Sequence, residues 1–323
     1  MNISLEHKEA LSGLIAAPLV GYTKDGSVDT SFIHDYASLL SSNGVNGVFI
    51  NGTTGEGMSL TFQERKEVAE KWINTSPKDL SVIIHVGCSS IEESKQLAAH
   101  AQQCGADAIG IIGPTFYKPA KMSDLVEFVA AIAQKAPDTP CYYYHMPAIN
   151  GVDFPMIDFL KEAHGAIPTL AGIKYTFENL MDADLCRQYA DGQYNILHGQ
   201  DETLLCGLTL GATGAVGSTY NFMAPLYVQM IDAFTQGKAE QALKLQRTAC
   251  DILQCMFECS SYFGAAKVMM RWAGIEINGI RLPLSDIQPH EVAKLKEKLN
   301  DVGFFSYSNT TKAATGKEEK IVS

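Results

Sequence analysis

The 323-residue chain is long enough to bury a large core, and its 46% hydrophobic and 19% charged residues are typical of a globular protein. Its formal net charge of -11, with no cluster of lysine and arginine, argues against nucleic acid and anionic membranes as partners. The first residues lack a basic segment followed by an apolar one, and no run reaches the roughly 18 apolar residues of a membrane span, so we expect a cytoplasmic protein.

Short β-branched or apolar runs alternate with longer amphipathic runs up to residue 235. The predicted strands are SGLIAAPLV (12–20), VNGVFIN (45–51), SVIIHVG (81–87), ADAIGIIG (106–113), TPCYYYHMP (139–147), TLAGIKYT (169–176), YNILHGQ (194–200) and TGAVGST (213–219). The predicted helices cover residues 30–43, 61–75, 90–104, 123–136, 155–163, 179–190, 202–210 and 224–235. Thr61 and Glu64 have the spacing of a capping box at the start of the second helix.

This alternation predicts an α/β fold, a (β/α)8 TIM barrel over residues 1–236, because closely spaced strand–helix units build parallel sheets. A doubly wound sheet is the alternative. The later helical patterns (238–259, 265–273 and 289–301) predict a C-terminal helical extension, residues 237–303, packed on the barrel. The polar segment 304–323 is expected to be disordered.

The cysteine and histidine spacings predict no metal site. The eight cysteines form no CxxC pair and are interpreted as reduced core thiols. Cys255 and Cys259 would share a helix face, but they have no partner at ligand spacing. Histidines do not approach one another at ligand spacing, which disfavours a metal-dependent aldolase, and the absence of GxSxG disfavours an α/β-hydrolase.

Barrel enzymes carry their working residues at the carboxyl ends of the strands and in the loops that follow. The polar residues that fall there are NGTTGEG (51–57), GPTFYKP (113–119), YYYHMP (142–147), Lys174 with Thr176, GQDE (199–202) and GSTYN (217–221).

Lys174 stands out within this set because it lies in the middle of a predicted buried strand. Strand alternation places Gly172, Lys174 and Thr176 on one face, which suits a barrel interior. Burial disfavours the charged form and lowers the pKa of a lysine, so a fraction of neutral amine could attack a ketone and form a Schiff base. From position alone, a lysine that extends to solvent at a strand end remains the alternative interpretation.

Two neighbouring segments could serve the same chemistry. Tyr142 and Tyr144 share a face of the fifth strand, so a phenol can lie near Lys174 and transfer protons, although strand tyrosines commonly pack. The GTTGEG loop has neither P-loop nor dinucleotide-loop spacing, but its N–H groups with Thr53 and Thr54 could bind a carboxylate. A tight turn that leads into a helix is the alternative, and Glu56 is interpreted as structural.

Together, GTTGEG, the Tyr144-xx-Pro147 motif, GIKYT and GATGAVGSTYN resemble the N-acetylneuraminate lyase family. This family belongs to the class I aldolases that include dihydrodipicolinate synthase, and the resemblance covers about residues 10 to 300. It implies that Lys174 forms a Schiff base with the substrate ketone and that Tyr144 relays a proton, with no cofactor and no metal. The implied products are pyruvate and N-acetylmannosamine.

The resemblance also implies roles for other residues. Thr53 and Thr54 would hold the substrate carboxylate, and Tyr117 would lie near a neighbouring subunit's site in a homotetramer. Phe263 is expected to line the pocket. The residues implied to contact the sugar hydroxyls are Thr176, Gly199, Asp201, Glu202 and Ser218.

The residues after the Tyr-xx-Pro motif differ from those of some related families, and this difference bears on the choice of substrate. Dihydrodipicolinate synthases carry an arginine soon after their Tyr-xx-Pro motif to bind a second carboxylate, whereas Ala148, Ile149 and Asn150 follow here. This disfavours aspartate semialdehyde as the acceptor. An aldolase for 2-keto-3-deoxy sugar acids, or a non-catalytic barrel that binds sialic acid or pyruvate, remains the alternative.

Overall fold

The computed structural model describes residues 10–310, and eight parallel strands in this part of the chain close into a barrel. Each strand pairs with its neighbours in chain order, and the first strand pairs with both the second and the last. This closure excludes the doubly wound sheet, which has free edges. The barrel strands are β1 (Gly13–Ala16), β2 (Val45–Ile50), β3 (Ser81–His85), β4 (Ala108–Ile112), β5 (Cys141–His145), β6 (Leu170–Tyr175), β7 (Asn195–His198) and β8 (Gly214–Gly217).

Helices surround the barrel and continue beyond it, so the chain forms a (β/α)8 barrel with a C-terminal helical part. None of them, within residues 10–310, has the length and apolar character that a membrane span requires. The helices are α1 (Ile33–Ser42), α2 (Phe62–Thr75), α3 (Ile91–Cys104), α4 (Met122–Ala133), α5 (Pro147–Asn150), α6 (Met156–Ala163), α7 (Leu180–Gln188), α8 (Leu204–Thr209), α9 (Tyr220–Thr235), α10 (Ala239–Phe257), α11 (Tyr262–Trp272) and α12 (Pro289–Asp301).

The strand and helix predictions are confirmed, with differences at specific places. The short helix α5 and a two-stranded hairpin formed by Gly21–Tyr22 and Val28–Asp29 were not predicted, because both are too short to show periodicity. Helix α9 begins before residue 224, with a break at Met223 and a proline inside it. The capping box is confirmed: Thr61 Oγ1 accepts from Glu64 N, and Glu64 Oε2 accepts from Thr61 N.

The C-terminal part packs on the barrel through ionic and apolar contacts. Arg281 binds both carboxylate oxygens of Glu64 at the start of α2. Leu295 and Leu299 of α12 are buried in the core. The predicted boundary between barrel and extension, after residue 236, falls between α9 and α10 and stays a prediction.

Residues 304–310 differ from the expectation of disorder after residue 303. Phe304 is fully buried, and Asn309 donates to the carbonyl oxygens of Tyr220 and Asn221 while its Oδ1 accepts from Ala224 N. The break in α9 frees these backbone groups from helical partners, and Asn309 replaces those partners. The rest of the segment, 311–323, lies outside the described residues.

Candidate active site

Lys174 lies at the carboxyl end of β6, directly beside Tyr144 of β5 in the strand register. Tyr142 pairs with Gly172 two residues earlier on each strand, so the two tyrosines and Lys174 share the inner face of the barrel. Ile173 and Tyr175 point outward into the core beneath the helices. The predicted alternation at Lys174 is therefore confirmed.

The Lys174 amine is enclosed by aromatic rings. Its Nζ lies 3.9 Å from the centre of the Tyr144 ring and 4.1 Å from that of Phe49, and the residue is only 5% exposed. Burial lowers the pKa of Lys174 to about 7, while the negative charge of Asp201 opposes this shift. The ring faces favour an ammonium by about 0.5–2 kcal/mol, which is less than the cost of desolvation.

Lys174 makes no salt bridge within residues 10–310, and it does not extend into solvent. A tight ion pair would fix the amine as an ammonium, and exposure would keep its pKa near that of an ordinary lysine. With neither present, a substantial fraction of the amine is neutral near pH 7. The site therefore provides a nucleophile suited to a carbonyl carbon.

Tyr144 places its phenol oxygen between two neighbours. The oxygen lies 3.3 Å from Thr53 Oγ1 and donates a hydrogen bond to Met146 Sδ at 2.9 Å. Burial raises the pKa of Tyr144 to about 12, with the hydroxyls of Thr53 and Thr176 opposing the shift. The phenol is therefore protonated near neutral pH and can act first as a proton donor.

The GTTGEG loop follows β2 and folds back on itself. Glu56 N donates to Thr53 O, and Gly57 N donates to Gly52 O, both at 3.0 Å. The N–H groups of Thr53 and Thr54 take no part in these turn bonds, and Thr53 is exposed at the barrel mouth. The turn bonds thus leave out the N–H groups of Thr53 and Thr54, and donors of this kind can bind a carboxylate.

Asp201 lies on the opposite side of the mouth, after β7. Its Oδ2 accepts from the backbone N–H and the hydroxyl of Thr219, at 2.8 and 2.7 Å. Burial raises the pKa of Asp201 to about 6, which these hydrogen bonds oppose. A Cβ at position 217 would lie 1.7 Å from Asp201 Oδ1, so this close approach requires Gly217.

The other predicted sugar-contacting residues lie directly after strands β6, β7 and β8. Gly199 leaves room for Thr176, because a Cβ there would lie 2.1 Å from Thr176 Oγ1. Ser218 Oγ lies 2.7 Å from the hydroxyl of Tyr262, which comes from the C-terminal helices. Glu202 is exposed at the rim.

Tyr117 lies outside this arrangement. It is 83% exposed, and its ring packs edge-on against the equally exposed Phe116 at 4.9 Å. Phe263 is half-buried and packs on the hydrophobic core. The single chain does not bring Tyr117 to Lys174, so its predicted role in a neighbouring subunit's site stays a prediction.

Comparison with known proteins places this geometry in a family. The model of the dihydrodipicolinate synthetase family matches residues 10–302. The chain belongs to this family.

Several relatives of this chain in the dihydrodipicolinate synthetase family share a name. N-acetylneuraminate lyase of Xenopus tropicalis is 42% identical over 278 residues, which cover 85% of this chain and 90% of that protein. The structure of Proteus mirabilis N-acetylneuraminate lyase is 38% identical with a TM-score of 0.88, covering 92% of this chain and 100% of that one. A Ruminococcus gnavus sialic acid aldolase, described as a catalytic lysine mutant, is 27% identical with a TM-score of 0.86, covering 92% and 98%.

The structure adds residues to this candidate site that the sequence did not single out. Phe49 and Met146 contact Lys174 and Tyr144 respectively, and Tyr262 contacts Ser218. The inward position of Phe49 on β2 was the available signal. His85 bonds Asn51 O through Nδ1 at 3.0 Å, whereas its buried Nε2 has no hydrogen-bond partner in the described chain.

One group of possible metal ligands occurs on the outer helices of the barrel, within the part of the chain described. Glu70 of α2 lies beside His100 and Cys104 of α3, with ligand atoms within 4.8 Å of one another. Its members lie on two different helices, so the spacing of residues along the chain does not indicate this group. His100 Nε2 already bonds Glu70 at 2.8 Å, and burial with the nearby Glu70 charge raises the pKa of the Cys104 thiol. The neutral thiol is a poor metal ligand.

The cysteines are all free, as predicted. Their assignment to the core is correct for Cys141, Cys186 and Cys255, which are buried. It is wrong for Cys206, which is exposed on the short helix α8, where an apolar sequence neighbourhood does not ensure burial.

Proposed function

We propose that this chain is a Schiff-base aldolase that cleaves N-acetylneuraminate reversibly to pyruvate and N-acetylmannosamine. The observation that carries the proposal is the Lys174 amine, buried without a salt bridge in the described chain and with its pKa lowered to about 7. The names of the similar lyases support the substrate, and the catalytic lysine of the Ruminococcus gnavus aldolase supports the role of Lys174.

The proposed reaction begins when neutral Lys174 attacks the C2 ketone of the open-chain sugar acid. Tyr144 donates its proton to the carbinolamine hydroxyl, which leaves as water and gives a protonated imine. The Tyr144 phenolate then takes the proton of the C4 hydroxyl as the C3–C4 bond breaks, and the electron pair of that bond enters the imine to give an enamine. The aldehyde of N-acetylmannosamine departs. The protonated imine on Lys174 is the electron sink for cleavage of the C3–C4 bond, so this cleavage requires no cofactor.

The remaining steps return the site to its starting state. Tyr144 delivers its proton to C3 of the enamine, and water hydrolyses the resulting imine. Pyruvate leaves, Lys174 is again an amine and Tyr144 again a phenol. Each proton removed is thus returned within the cycle.

Substrate recognition is proposed to divide between the two sides of the mouth. Thr53 and Thr54 bind the carboxylate, which the loop N–H groups can also reach. The sugar hydroxyls and glycerol tail contact the residues on and after β6, β7 and β8, which are Thr176, Gly199, Asp201, Glu202 and Ser218.

The segment after the Tyr-xx-Pro motif supports the acceptor choice. Asn150 is fully buried, its Nδ2 donates to Gly113 O and its Oδ1 accepts from Val152 N. Ala148 and Ile149 have apolar side chains. The segment therefore has no cationic side chain to bind a second carboxylate, in keeping with a polyol acceptor rather than an acceptor that carries its own carboxylate.

We also propose that the protein is a cytoplasmic homotetramer. The support for assembly is the exposed Phe116–Tyr117 pair, since large aromatic side chains at the surface commonly mark interfaces. Tyr117 would then approach the site of a neighbouring subunit.

Substrate and chemistry are tested together by product release and adduct trapping. We expect release of pyruvate from N-acetylneuraminate, measured by a coupled lactate dehydrogenase assay, and a borohydride-stable pyruvate adduct on Lys174, measured by peptide mass. Release from 2-keto-3-deoxygluconate alone would assign the chain to that substrate. Pyruvate binding without adduct or turnover would instead indicate the non-catalytic barrel.

The lowered pKa of Lys174 predicts the pH dependence of imine formation. The neutral amine is the nucleophile, so the trapping rate at low pyruvate should rise through pH 7 and level off above about 8, whereas an ordinary lysine is only about 0.04% neutral at pH 7. The measurement is cyanoborohydride trapping between pH 5.5 and 9, followed by intact mass, with free N-α-acetyllysine as the control for the reagent. A rate that is still rising steeply between pH 8 and 9 would show an ordinary lysine pKa.

A further inference from the structure

A fully buried ion pair joins the GTTGEG loop to the C-terminal helices. Lys267 of α11 donates from Nζ to Glu56 Oε1 at 2.6 Å and to the carbonyl oxygen of Gly279 at 2.6 Å. The two side chains are 1% and 0% exposed. The reaction proposed above uses neither residue.

Stability alone is a weak reason for such a pair. Removing two charges from water opposes the gain from their attraction, so well-packed apolar residues often stabilise a fold equally well. Burial lowers the pKa of Lys267, and the Glu56 charge opposes that shift. A buried pair does, however, fix the position of both partners, because either partner left alone would be strongly destabilised.

Glu56 itself has a backbone conformation that needs external support. Its φ is +49°, in the left-handed region that non-glycine residues rarely adopt, and Asn51 at the start of the loop has φ +57°. Tyr22 adds a hydrogen bond to Glu56 Oε2 at 3.3 Å, and the Arg281 guanidinium lies over the Tyr22 ring at 4.5 Å. The C-terminal part thus contacts this end of the loop directly through Lys267 and indirectly through Arg281, which packs on Tyr22.

The other end of the loop is fixed by the barrel. Asn51 Nδ2 donates to Arg65 O, and the His85 ring bonds Asn51 O. Arg65 in turn donates to the carbonyl oxygens of His85 and Gly87. The barrel therefore positions Asn51, whereas the Glu56 side chain is held by Lys267 and Tyr22.

A short series of contacts leads from Lys267 to the reacting groups. Lys267 binds the Glu56 carboxylate, Glu56 N donates to Thr53 O at 3.0 Å, and Thr53 Oγ1 lies 3.3 Å from the Tyr144 hydroxyl. A shift of Glu56 would therefore move Thr53, which touches the proposed proton donor.

We infer that Lys267, through its buried ion pair with Glu56, is a positioning residue that holds Thr53 and Thr54 in the conformation that binds the substrate carboxylate. The C-terminal helices therefore pack against the barrel and also help to position the substrate-binding loop. The inference rests on the proposed function, because it assumes a 2-keto acid whose carboxylate reaches this loop.

The test is the pyruvate concentration that gives half-maximal trapping of the Lys174 adduct. For Lys267→Met we expect this half-maximal pyruvate concentration to rise about tenfold or more. A rise of this size corresponds to the loss of about one charge-assisted hydrogen bond between the loop and the pyruvate carboxylate. The amount of adduct at saturating pyruvate, per folded protein, should match the wild type. Because only folded molecules form the adduct, the half-maximal pyruvate concentration separates a positioning role from a general loss of stability.

Leu299→Ala is the matched control. Leu299 is fully buried in α12 of the same C-terminal part, so its truncation lowers the melting temperature without altering the Glu56 pair. We expect its half-maximal pyruvate concentration to equal that of the wild type. An unchanged value in Lys267→Met, or an equal rise in Leu299→Ala, would overturn the inference.

Lys267→Gln covers the case in which Lys267→Met does not fold. It keeps a hydrogen-bond donor for Glu56 but removes the charge, and we expect a rise of about threefold, since a neutral hydrogen bond is weaker than a charge-assisted one. No rise would overturn the inference. If the wild type itself forms no adduct, the proposed function fails rather than the role of Lys267.

Discussion

Replacement of Lys174 by methionine should abolish the pyruvate adduct and lower kcat/KM by about 10⁴-fold or more, because the covalent nucleophile is lost. Methionine has nearly the same length and fits between the Phe49 and Tyr144 rings. The free energy of unfolding should stay equal or rise, since a buried amine is removed. Peptide mass after borohydride treatment, steady-state assay and urea unfolding are the measurements.

Lys161→Met is the matched control for Lys174→Met. Lys161 lies on α6 at the surface, where it pairs with Asp158, and it should be dispensable for turnover and adduct formation. Full activity in Lys174→Met, or an adduct on another lysine, would remove Lys174 from the mechanism.

Tyr144→Phe should slow imine formation, in which water can replace the phenol as proton donor, less than it slows bond cleavage. The ring contacts with Lys174 and Phe49 remain, while the hydroxyl beside Thr53 and Met146 is lost. We expect a pyruvate adduct to form still, and turnover of N-acetylneuraminate to fall by about 10²–10⁴-fold, the usual contribution of a general acid–base group.

Tyr142→Phe provides the control on the same strand face. The Tyr142 hydroxyl accepts from Asn195 Nδ2 at 3.2 Å, deeper in the barrel. Turnover in this variant should stay within about threefold of the wild type, because no reacting group is touched. Wild-type turnover in Tyr144→Phe would exclude the phenol from proton transfer.

Long periodic segments were predictable because their pattern is set by burial on one face. The strand TLAGIKYT shows this, since alternation separates Gly172 and Lys174 on the inner face from Ile173 and Tyr175, which pack under the helices. The helix break at Met223 was not predictable in the same way. It depends on Asn309, more than 80 residues later, which supplies the missing hydrogen bonds.

The sequence by itself determined the alternation of strands and helices and the shared strand face of Gly172 and Lys174, because strand alternation is a local property. Closure of the sheet into a barrel and the pairing of Tyr144 with Lys174 were decided by the tertiary structure, because strand pairing joins residues distant in the chain. Family motifs, rather than position, separated a nucleophile from a lysine that extends to solvent. Only the tertiary structure decided the low pKa of Lys174 and the buried pair between Glu56 and Lys267. Both depend on desolvation by residues distant in the chain, and desolvation is known only once the chain has folded.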